Sequence, residues 1–223
     1  MAIRPVFIVS LDNKFCVKKD TEFEFFSGFS DKQKKKCINS LHESYLKKNP
    51  DKRVLEISSK SEDELGIKLS AFNLMIRTKS GKEFSVESAF QASKVFENGG
   101  HYTDLLKVPS IVAKKDERLR NSGKVIAFSI DGRTFPNEPK TYFYNWLYIN
   151  TLHKLNYELA EQVINYDAFT DIVFNPQKSI NCQAEAVAIY VSLVKQGLID
   201  EALKDANAFL SVVYPNAGKV INT

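Results

Sequence analysis

One predicted helix carries polar side chains of the kind that bind a ligand or catalyse a reaction. The sequence SVESAFQASKVFE predicts a helix over residues 85–97, along which Glu87, Gln91, Lys94 and Asn98 are spaced at intervals of four, three and four. These positions span only about 60° of a 3.6-residue helix. A surface helix needs an apolar stripe of only about 100°, so a narrow polar stripe among apolar residues predicts a pocket or a polar partner. A solvated helix edge is the alternative that the spacing leaves open.

A segment near residue 170 is the second candidate site. Residues 166–181 show no clean helix or strand period and predict an ordered loop, a kind of segment that is often functional. Two acids followed by an amide suit sugar hydroxyls or the positioning of a water molecule. The alternative is a structural role, because Asp and Asn side chains also stabilise turns and cap helices. The candidate residues of this loop are Asp167, Phe169, Thr170, Asp171 and Asn181.

Two shorter signals concern anions. Ser59 and Lys60 lie in the SSKS segment directly after a predicted strand, where hydroxyls and an ammonium suit a phosphate. The basic run at residues 32–36 has the charge to contact a nucleic-acid backbone. Lysines on a helix are more often simply solvated, and this alternative stays open.

Composition narrows the classes of protein. The 223 residues are 43% hydrophobic, enough to bury a core without disulfides or a metal. The net charge of +4 is mildly basic, and the three cysteines and three histidines are scattered. We therefore expect no metal, no other cofactor and a reducing, cytoplasmic location. No run of about 18 apolar residues and no secretory signal is present, so we expect no membrane partner.

The pattern of elements predicts an α+β fold, mainly helical with a few short strands. We expect a single domain over residues 1–223, in which 1–50 contribute a strand pair and a basic helix, and 51–200 form the catalytic core. The predicted strands are 4–10, 15–26, 53–58, 69–78 and a hairpin over 124–135. The predicted helices are 31–48, 85–97, 109–120, 138–155, 181–196 and 198–213.

Three of these segments resemble motifs of the NADAR (YbiA-like) family. The sequence EFSVESAFQASKVF at 83–96 is similar to the family's signature helix, roughly W-P-[ST]-x-E-H-Y-F-Q-A-x-K-F. The sequence LSAFN at 69–73 resembles its F-S-N-F element, and DAFT at 167–170, with Asn181 beyond, resembles its D-x-Y-W-G…N element. The segments LEISSKS, AKKDERL and FNPQKSINCQA are similar to one branch, the NADAR antitoxins that accompany DarT-type toxins.

The resemblance implies an N-glycosidase that removes ADP-ribose from the amino group of guanine in DNA and so reverses the toxin's modification. It implies a DarT-type toxin as the protein partner, with a role in phage defence. Residue by residue, it carries catalysis to Glu87, and substrate binding or catalysis to Gln91, Lys94, Phe72, Asn73, Asp167 and Asn181. Ser88 and Thr170 depart from the family's His and Trp, which leaves the orientation of the substrate open.

The resemblance and the residue chemistry together suggest roles. Glu87 is expected to act as a base or to stabilise positive charge, with Asp167 or Asp171 orienting the ribose hydroxyls. Lys94 either holds a phosphate or Glu87, or forms a Schiff base with an opened sugar. Lys60 is expected to meet the pyrophosphate. Phe72 or Phe169 is expected to stack on a base.

Two other function classes stay open at this point. One is a binding module that holds nucleic acid or the toxin without catalysis. The other is an N-glycosidase that acts on small aminated ribosyl metabolites of the riboflavin pathway, as some relatives in the resembling family do. The basic helix in the first 50 residues favours DNA over the small metabolites.

Overall fold

A computed structural model describes residues 1–12, 14–28 and 30–217. Helices account for 41% and strands for 20%, so the fold mixes helices with several small sheets, and "mainly helical" overstates the helices. The strands are β1 Ala2–Val9, β2 Cys16–Phe23, β3 Val54–Glu56, β4 Met75–Arg77, β5 Glu83–Ser85, β6 Lys94–Phe96, β7 Val125–Ile130, β8 Arg133–Pro136 and β9 Ala168–Thr170. The helices are α1 Asp31–Leu46, α2 Glu64–Lys68, α3 Val86–Ala92, α4 Ser110–Lys115, α5 Arg118–Asn121, α6 Tyr142–Leu155, α7 Tyr157–Val163, α8 Gln183–Lys195, α9 Ile199–Ala202 and α10 Ala206–Val213, with a 3₁₀ turn at Thr103–Lys107. None of the helices in the described ranges has both the length and the apolar character needed to cross a membrane.

The largest sheet has the strand order β2-β1-β9-β3. β1 runs antiparallel to β2 and β9, whereas β3 and β9 are parallel, with Leu55 opposite Phe169 and Glu56 opposite Thr170. Because parallel strands end at the same edge of a sheet, the segments that follow Glu56 and Thr170 emerge side by side. This edge brings the SSKS segment and Asp171 into one region.

The first 50 residues form a hairpin and a helix, as predicted. Ser30 caps α1 by accepting a hydrogen bond from the backbone N–H of Gln33. The helix packs Cys37, Ile38 and Leu41 against the sheet. Since β1 pairs with β9, these residues share a sheet with a strand from the second half of the chain. The single-domain organisation itself stays a prediction.

The predicted helix over residues 85–97 is wrong in its second half. α3 ends at Ala92, and β6 begins at Lys94, which lies opposite Phe128 of β7. Asn98 lies beyond β6 and is exposed, so it does not continue the predicted polar stripe. Lys94 therefore belongs to β6 and not to α3, and it reaches the polar face of α3 from that strand.

Tertiary pairing ends this helix. The Ser93 hydroxyl donates to the carbonyl O of Ala89 at 2.7 Å, a bond that competes with the helical ladder. The backbone N–H of Ser129 donates to the Ser93 carbonyl at 2.7 Å and joins the chain to β7. The β-branched Val95 that follows suits the strand better than a helix. A periodic apolar pattern alone cannot report this pairing.

Other boundaries differ where turns interrupt an apolar pattern. The predicted strand 69–78 is reduced to β4, and the predicted loop 166–180 contains β9. The predicted helices 109–120 and 198–213 are each divided into two, and the helix predicted from 138 begins at Tyr142. The divided and shortened elements reflect local hydrogen bonding that periodicity does not encode.

The predicted hairpin over 124–135 is confirmed as β7 and β8. Asp131 and Gly132 at its tip both have positive φ, 51° and 71°, as a type I′ turn requires. β6 completes this three-stranded sheet. The hairpin thereby anchors the strand on which Lys94 lies.

Aromatic packing fixes α3 in the core. The Phe90 ring stacks on Phe128 at 5.5 Å and on Phe143 of α6 at 6.3 Å, and meets Tyr144 edge-on at 5.1 Å. All four rings are buried. Rings in contact on several sides leave a helix little freedom to rotate, so Phe90 sets the direction in which the neighbouring polar side chains project.

We predict that Gly66→Ala strongly destabilises the protein. A methyl group at this position of α2 would collide with the carbonyl O of Glu56 and with the side chain of Ser61. Overpacking against backbone should cost about 1–3 kcal/mol or more in the free energy of unfolding. Urea titration would measure it as a lower midpoint.

The matched control for this substitution is Gly81→Ala. Among the described residues, no atom beyond the two chain neighbours lies within 4 Å of a methyl group there, although φ is +79°. We expect only the strain of the left-handed conformation, about 1 kcal/mol. Equal midpoints for the two variants would contradict the close approach at Gly66.

Candidate functional site

The carboxylate of Glu87 forms the centre of the candidate site. Ser85 caps α3 by accepting from the N–H of Ser88, which places Glu87 in the first turn, where the exposed N–H groups favour a negative charge. The Glu87 N–H donates to the carbonyl O of Ala71 at 2.9 Å. The residue is only 5% exposed. A buried carboxylate requires donors around it, because losing water without compensation is costly.

A chain of hydrogen bonds supplies these donors. Lys94 Nζ donates to Gln91 Oε1 at 2.7 Å, and Gln91 Nε2 donates to Glu87 Oε1 at 2.9 Å. Because a lysine only donates and a carboxylate only accepts, the two neighbours determine the orientation of the Gln91 amide. The structure thus brings three of the predicted residues into one connected group.

Lys94 is partly buried within this group. Its Nζ lies 4.9 Å from the centroid of the Phe90 ring. Burial lowers the pKa of Lys94 to about 8; the negative charge of Glu87 opposes this, and the positive charge of Lys114 adds to it. The ammonium form predominates at neutral pH, and the free amine becomes accessible just above it.

Lys114 of α4 is a site residue that the sequence analysis missed. Its Nζ lies 3.7 Å from Glu87 Oε1 and 4.8 Å from the centroid of the Phe72 ring. The side chain is half exposed, so this contact contributes little to stability and leaves the ammonium available to a ligand. No spacing links it to Glu87, although it lies in the AKKDERL segment of the resemblance.

Serine contacts position α4 beside α3. Ser110, the first residue of α4, donates to the carbonyl O of Phe72 at 3.0 Å, and its Oγ lies 2.7 Å from Ser85 Oγ. Phe72 itself is partly exposed beside this junction, whereas Asn73 is exposed and donates to the carbonyl O of Ile67. The predicted F-S-N-F-like element thus contributes Phe72 to the site, and Asn73 supports its own turn.

Asp171 is the second buried acid that the sequence predicted. Burial raises the pKa of Tyr144 well above its ordinary value, and the charges of Glu87 and Asp171 add to this. Asp171 is 8% exposed, and its Oδ1 accepts from the N–H groups of Val173 and Phe174, both at 3.1 Å. Burial, followed by the charge of Glu56, raises the pKa of Asp171 to about 8. The group is therefore largely protonated at neutral pH.

Glu56 forms a second buried carboxyl that sequence reasoning missed. It accepts from Ser58 Oγ at 2.7 Å, Thr170 Oγ1 at 2.6 Å and the N–H of Ile172 at 2.8 Å. Burial raises its pKa in spite of these bonds. His42 Nε2 lies 2.8 Å from Thr170 Oγ1, whose proton is directed to Glu56, so the imidazole donates. Burial lowers the pKa of His42 to about 4, which keeps the ring neutral.

Gln183 braces the two halves of the site. Its Oε1 accepts from the N–H of Ala71 at 2.7 Å, and its Nε2 donates to the carbonyl O of Ile57. Because Ala71 binds the backbone of Glu87, this one side chain connects the start of α3 with the end of β3.

Two predicted residues of the late loop lie outside this group. Asp167 is held by Lys52 at 3.7 Å and Lys195 at 3.9 Å, and it accepts from the N–H of Arg53. Phe169 is fully buried between neighbouring strands, where no base can reach it. Asp167 and Asp171 flank β9 at its two ends, so the strand separates the lysines around Asp167 from the backbone N–H groups around Asp171.

The remaining predicted residues occupy the border of the site. Ser59 is exposed, and Lys60 Nζ pairs with Asp31 of α1 at 2.7 Å. The Oδ1 of Asn181 is buried, and within the described ranges it has no hydrogen-bond partner. The same ranges contain no cluster of three or more His, Cys, Asp or Glu residues able to hold a metal ion.

Comparison with known proteins gives an independent view of this arrangement. The family model described as "DarT1-associated NADAR antitoxin" matches residues 2–221. No curated protein matches the chain. The match includes Glu87, Asp171, Lys94, Lys114 and α1. It confirms the family that the motifs at 69–73, 83–96 and 167–170 resemble. The chain belongs to the family of DarT1-associated NADAR antitoxins.

Proposed function

We propose that this protein is an N-glycosidase that removes ADP-ribose from guanine bases in DNA and thereby acts as the antitoxin of a DarT-type toxin. The observation that carries the proposal is the buried carboxylate of Glu87, hydrogen bonded through Gln91 to Lys94 and faced by Lys114. The family supports the antitoxin role. The reaction itself is our inference from the chemistry of these side chains.

Glu87 acts as the general base. As the bond between the ribose anomeric carbon and the guanine amino nitrogen breaks, positive charge develops on the sugar. The carboxylate, supported by Gln91, takes a proton from water, whose oxygen attaches to the anomeric carbon. Its charge also stabilises the developing cation, because the surroundings of Glu87 contain little water to screen it.

Asp171 acts as the general acid. The guanine nitrogen leaves as an amine and needs one proton, which a carboxyl with a pKa of about 8 still carries at neutral pH. One proton goes from water to Glu87 and one from Asp171 to the amine, so the products are ADP-ribose and unmodified guanine. Two acids in different surroundings thus take the two opposite roles.

Lys94 and Lys114 supply positive charge for the substrate. Lys114, half exposed at the opening, is suited to the diphosphate of ADP-ribose. Lys94 acts as an ammonium that holds Gln91 and Glu87 in place. The partly exposed Phe72 stacks on a base of the substrate. The predicted contact of Lys60 and Ser59 with the pyrophosphate, and the predicted binding roles of Asn73, Thr170 and Asn181, stay predictions.

The direct test is incubation with an oligonucleotide that carries ADP-ribose on guanine. We expect release of free ADP-ribose and recovery of the unmodified strand, measured by chromatography. Turnover of small aminated ribosyl compounds with no action on the strand would instead support a metabolic N-glycosidase. Tight binding of the strand without release would support a binding module.

We predict that Glu87→Gln lowers kcat at least a hundredfold. The amide keeps the size of the side chain but neither accepts a proton nor stabilises positive charge. Glu83→Gln is the matched control, because Glu83 lies in the same segment and only pairs with Arg77 on the surface. Thermal melting of both variants checks that they fold. Full activity of Glu87→Gln would remove Glu87 from the catalytic role.

We predict that Asp171→Asn lowers kcat about a hundredfold, whereas Asp167→Asn changes it less than threefold. An asparagine at 171 cannot donate the proton that the amine needs. Asp167 instead pairs with Lys52 and Lys195, so its loss affects mainly the surface. Single-turnover rates on the modified strand would compare the two variants. The reverse order of effects would assign the acid to Asp167.

We predict that the rate falls as pH rises through about 8. Above this pH the proposed acid Asp171 loses its proton, and Lys94 loses its positive charge. Lys94→Arg, which stays charged, should keep activity and retain the fall that belongs to Asp171. Three results together would instead assign a Schiff base to Lys94. The rate would rise through pH 8, Lys94→Arg would be inactive, and borohydride would trap a covalent adduct of the sugar with Lys94.

A further inference from the structure

A shallow depression lies on the N-terminal part of α1, away from Glu87. Its volume is about 340 Å³. Positions 32, 35, 36 and 39 share one face of the helix, opposite the buried Cys37, Ile38, Leu41 and Tyr45. The depression is lined by Asp31, Lys32, Lys35, Lys36, Asn39 and Glu62.

The lysines of this depression are free to bind an anion. Within the described ranges, no carboxylate lies within 4.0 Å of Lys32, Lys35 or Lys36. The two carboxylates are already engaged, since Asp31 pairs with Lys60 at 2.7 Å and Glu62 accepts from Asn39 at 3.1 Å. The lining contains three lysines and two carboxylates, and Lys60 pairs with one of the carboxylates, so the surface is net positive.

Two phenylalanines precede α1, and the ring of Phe26 contacts a lysine of the depression. Phe25 is 45% exposed, an unusual state for a side chain of this size. Lys36 Nζ lies 5.5 Å from the centroid of the Phe26 ring, and the Phe26 N–H donates to Cys37 Sγ at 3.3 Å. The segment is thereby held against the helix. Exposed aromatic rings beside lysines are characteristic of surfaces that stack bases while cations contact the phosphates.

The depression borders the edge of the sheet that holds the second acid. Lys60 and Glu62 belong to the segment that follows β3, and Ser58 in the same segment donates to Glu56. The N–H of Ile172, next to Asp171, donates to Glu56 as well. A strand whose modified base reaches Asp171 would therefore pass this surface.

We propose that this face of α1, with Phe25, binds the sugar–phosphate backbone and a neighbouring base of the nucleic-acid strand that carries the modification. The inference rests on the proposed function for the identity of the strand. Lys32, Lys35 and Lys36 contact phosphates, and Phe25 stacks on one unmodified base. The surface adds affinity for the polymer and takes no part in breaking the glycosidic bond.

The test measures binding of an unmodified, labelled single-stranded oligonucleotide by fluorescence anisotropy across salt concentrations. For Lys32→Glu/Lys36→Glu we expect at least a tenfold loss of affinity at low salt. The slope of log K against log salt should fall by about 1.4, which corresponds to two lost contacts with a single strand. Phe25→Ala should lower affinity about fivefold or more and leave the slope unchanged.

Lys47→Glu/Lys48→Glu is the matched control. These two lysines are exposed at the opposite end of the same helix, so the net charge changes equally. We expect a much smaller loss of affinity and an unchanged slope. Circular dichroism checks that every variant is folded. Equal losses for the two double variants would overturn the proposal, because they would show only a general effect of charge.

Activity separates this surface from the proposed reaction. With ADP-ribosylated guanosine, which has no flanking strand, Lys32→Glu/Lys36→Glu should react at the wild-type rate, and with the modified strand its KM should rise about tenfold. If wild type cleaves neither substrate but binding follows the expected pattern, the surface stands and the proposed reaction fails. If the variant keeps its DNA affinity and loses affinity for the DarT-type toxin, the surface belongs to a protein partner and the proposal is overturned.

Discussion

A carboxylate held inside the protein at position 87 is the constraint on which the rest of the site depends. Removing such a charge from water is costly unless donors replace the water. Gln91 supplies one hydrogen-bond donor from the same helix. The cations come from other elements, Lys94 from β6 and Lys114 from α4. Both elements must therefore approach α3 closely. The hairpin that pairs with β6 and the contacts of Ser110 bring about this approach.

The second half of the site depends on strand order. Because β3 and β9 are parallel neighbours, Glu56 and Asp171 emerge at one edge and share a buried, hydrogen-bonded environment. No lysine of the described residues pairs with either carboxyl group, and burial raises the pKa of both. Glu87, by contrast, lies among donors and cations. The two acids thus differ in their partners, since amide and ammonium groups contact Glu87, whereas backbone N–H groups and burial surround Asp171.

The sequence analysis identified the central residues of the site more accurately than it predicted their arrangement. Glu87 and Gln91 follow from helical spacing, because both lie within one regular helix. Lys94 lies beside them for a reason that spacing does not contain, since Ser93 ends the helix in favour of strand pairing. Lys114 escaped notice because its approach depends on contacts between separate elements. Residue composition likewise cannot distinguish Asp167 from Asp171, because the two acids lie at opposite ends of a short strand and only the one that follows it is buried.

The brace formed by Gln183 has a consequence for how the protein folds during synthesis. It joins residues 57 and 71, so the arrangement around Glu87 needs a side chain that the ribosome adds more than a hundred positions after Ala71. Contacts of such long range form late in folding. A nascent chain that already contains α3 has the carboxylate but not its support. The support around Glu87 is therefore complete only after α8 has been translated and docked.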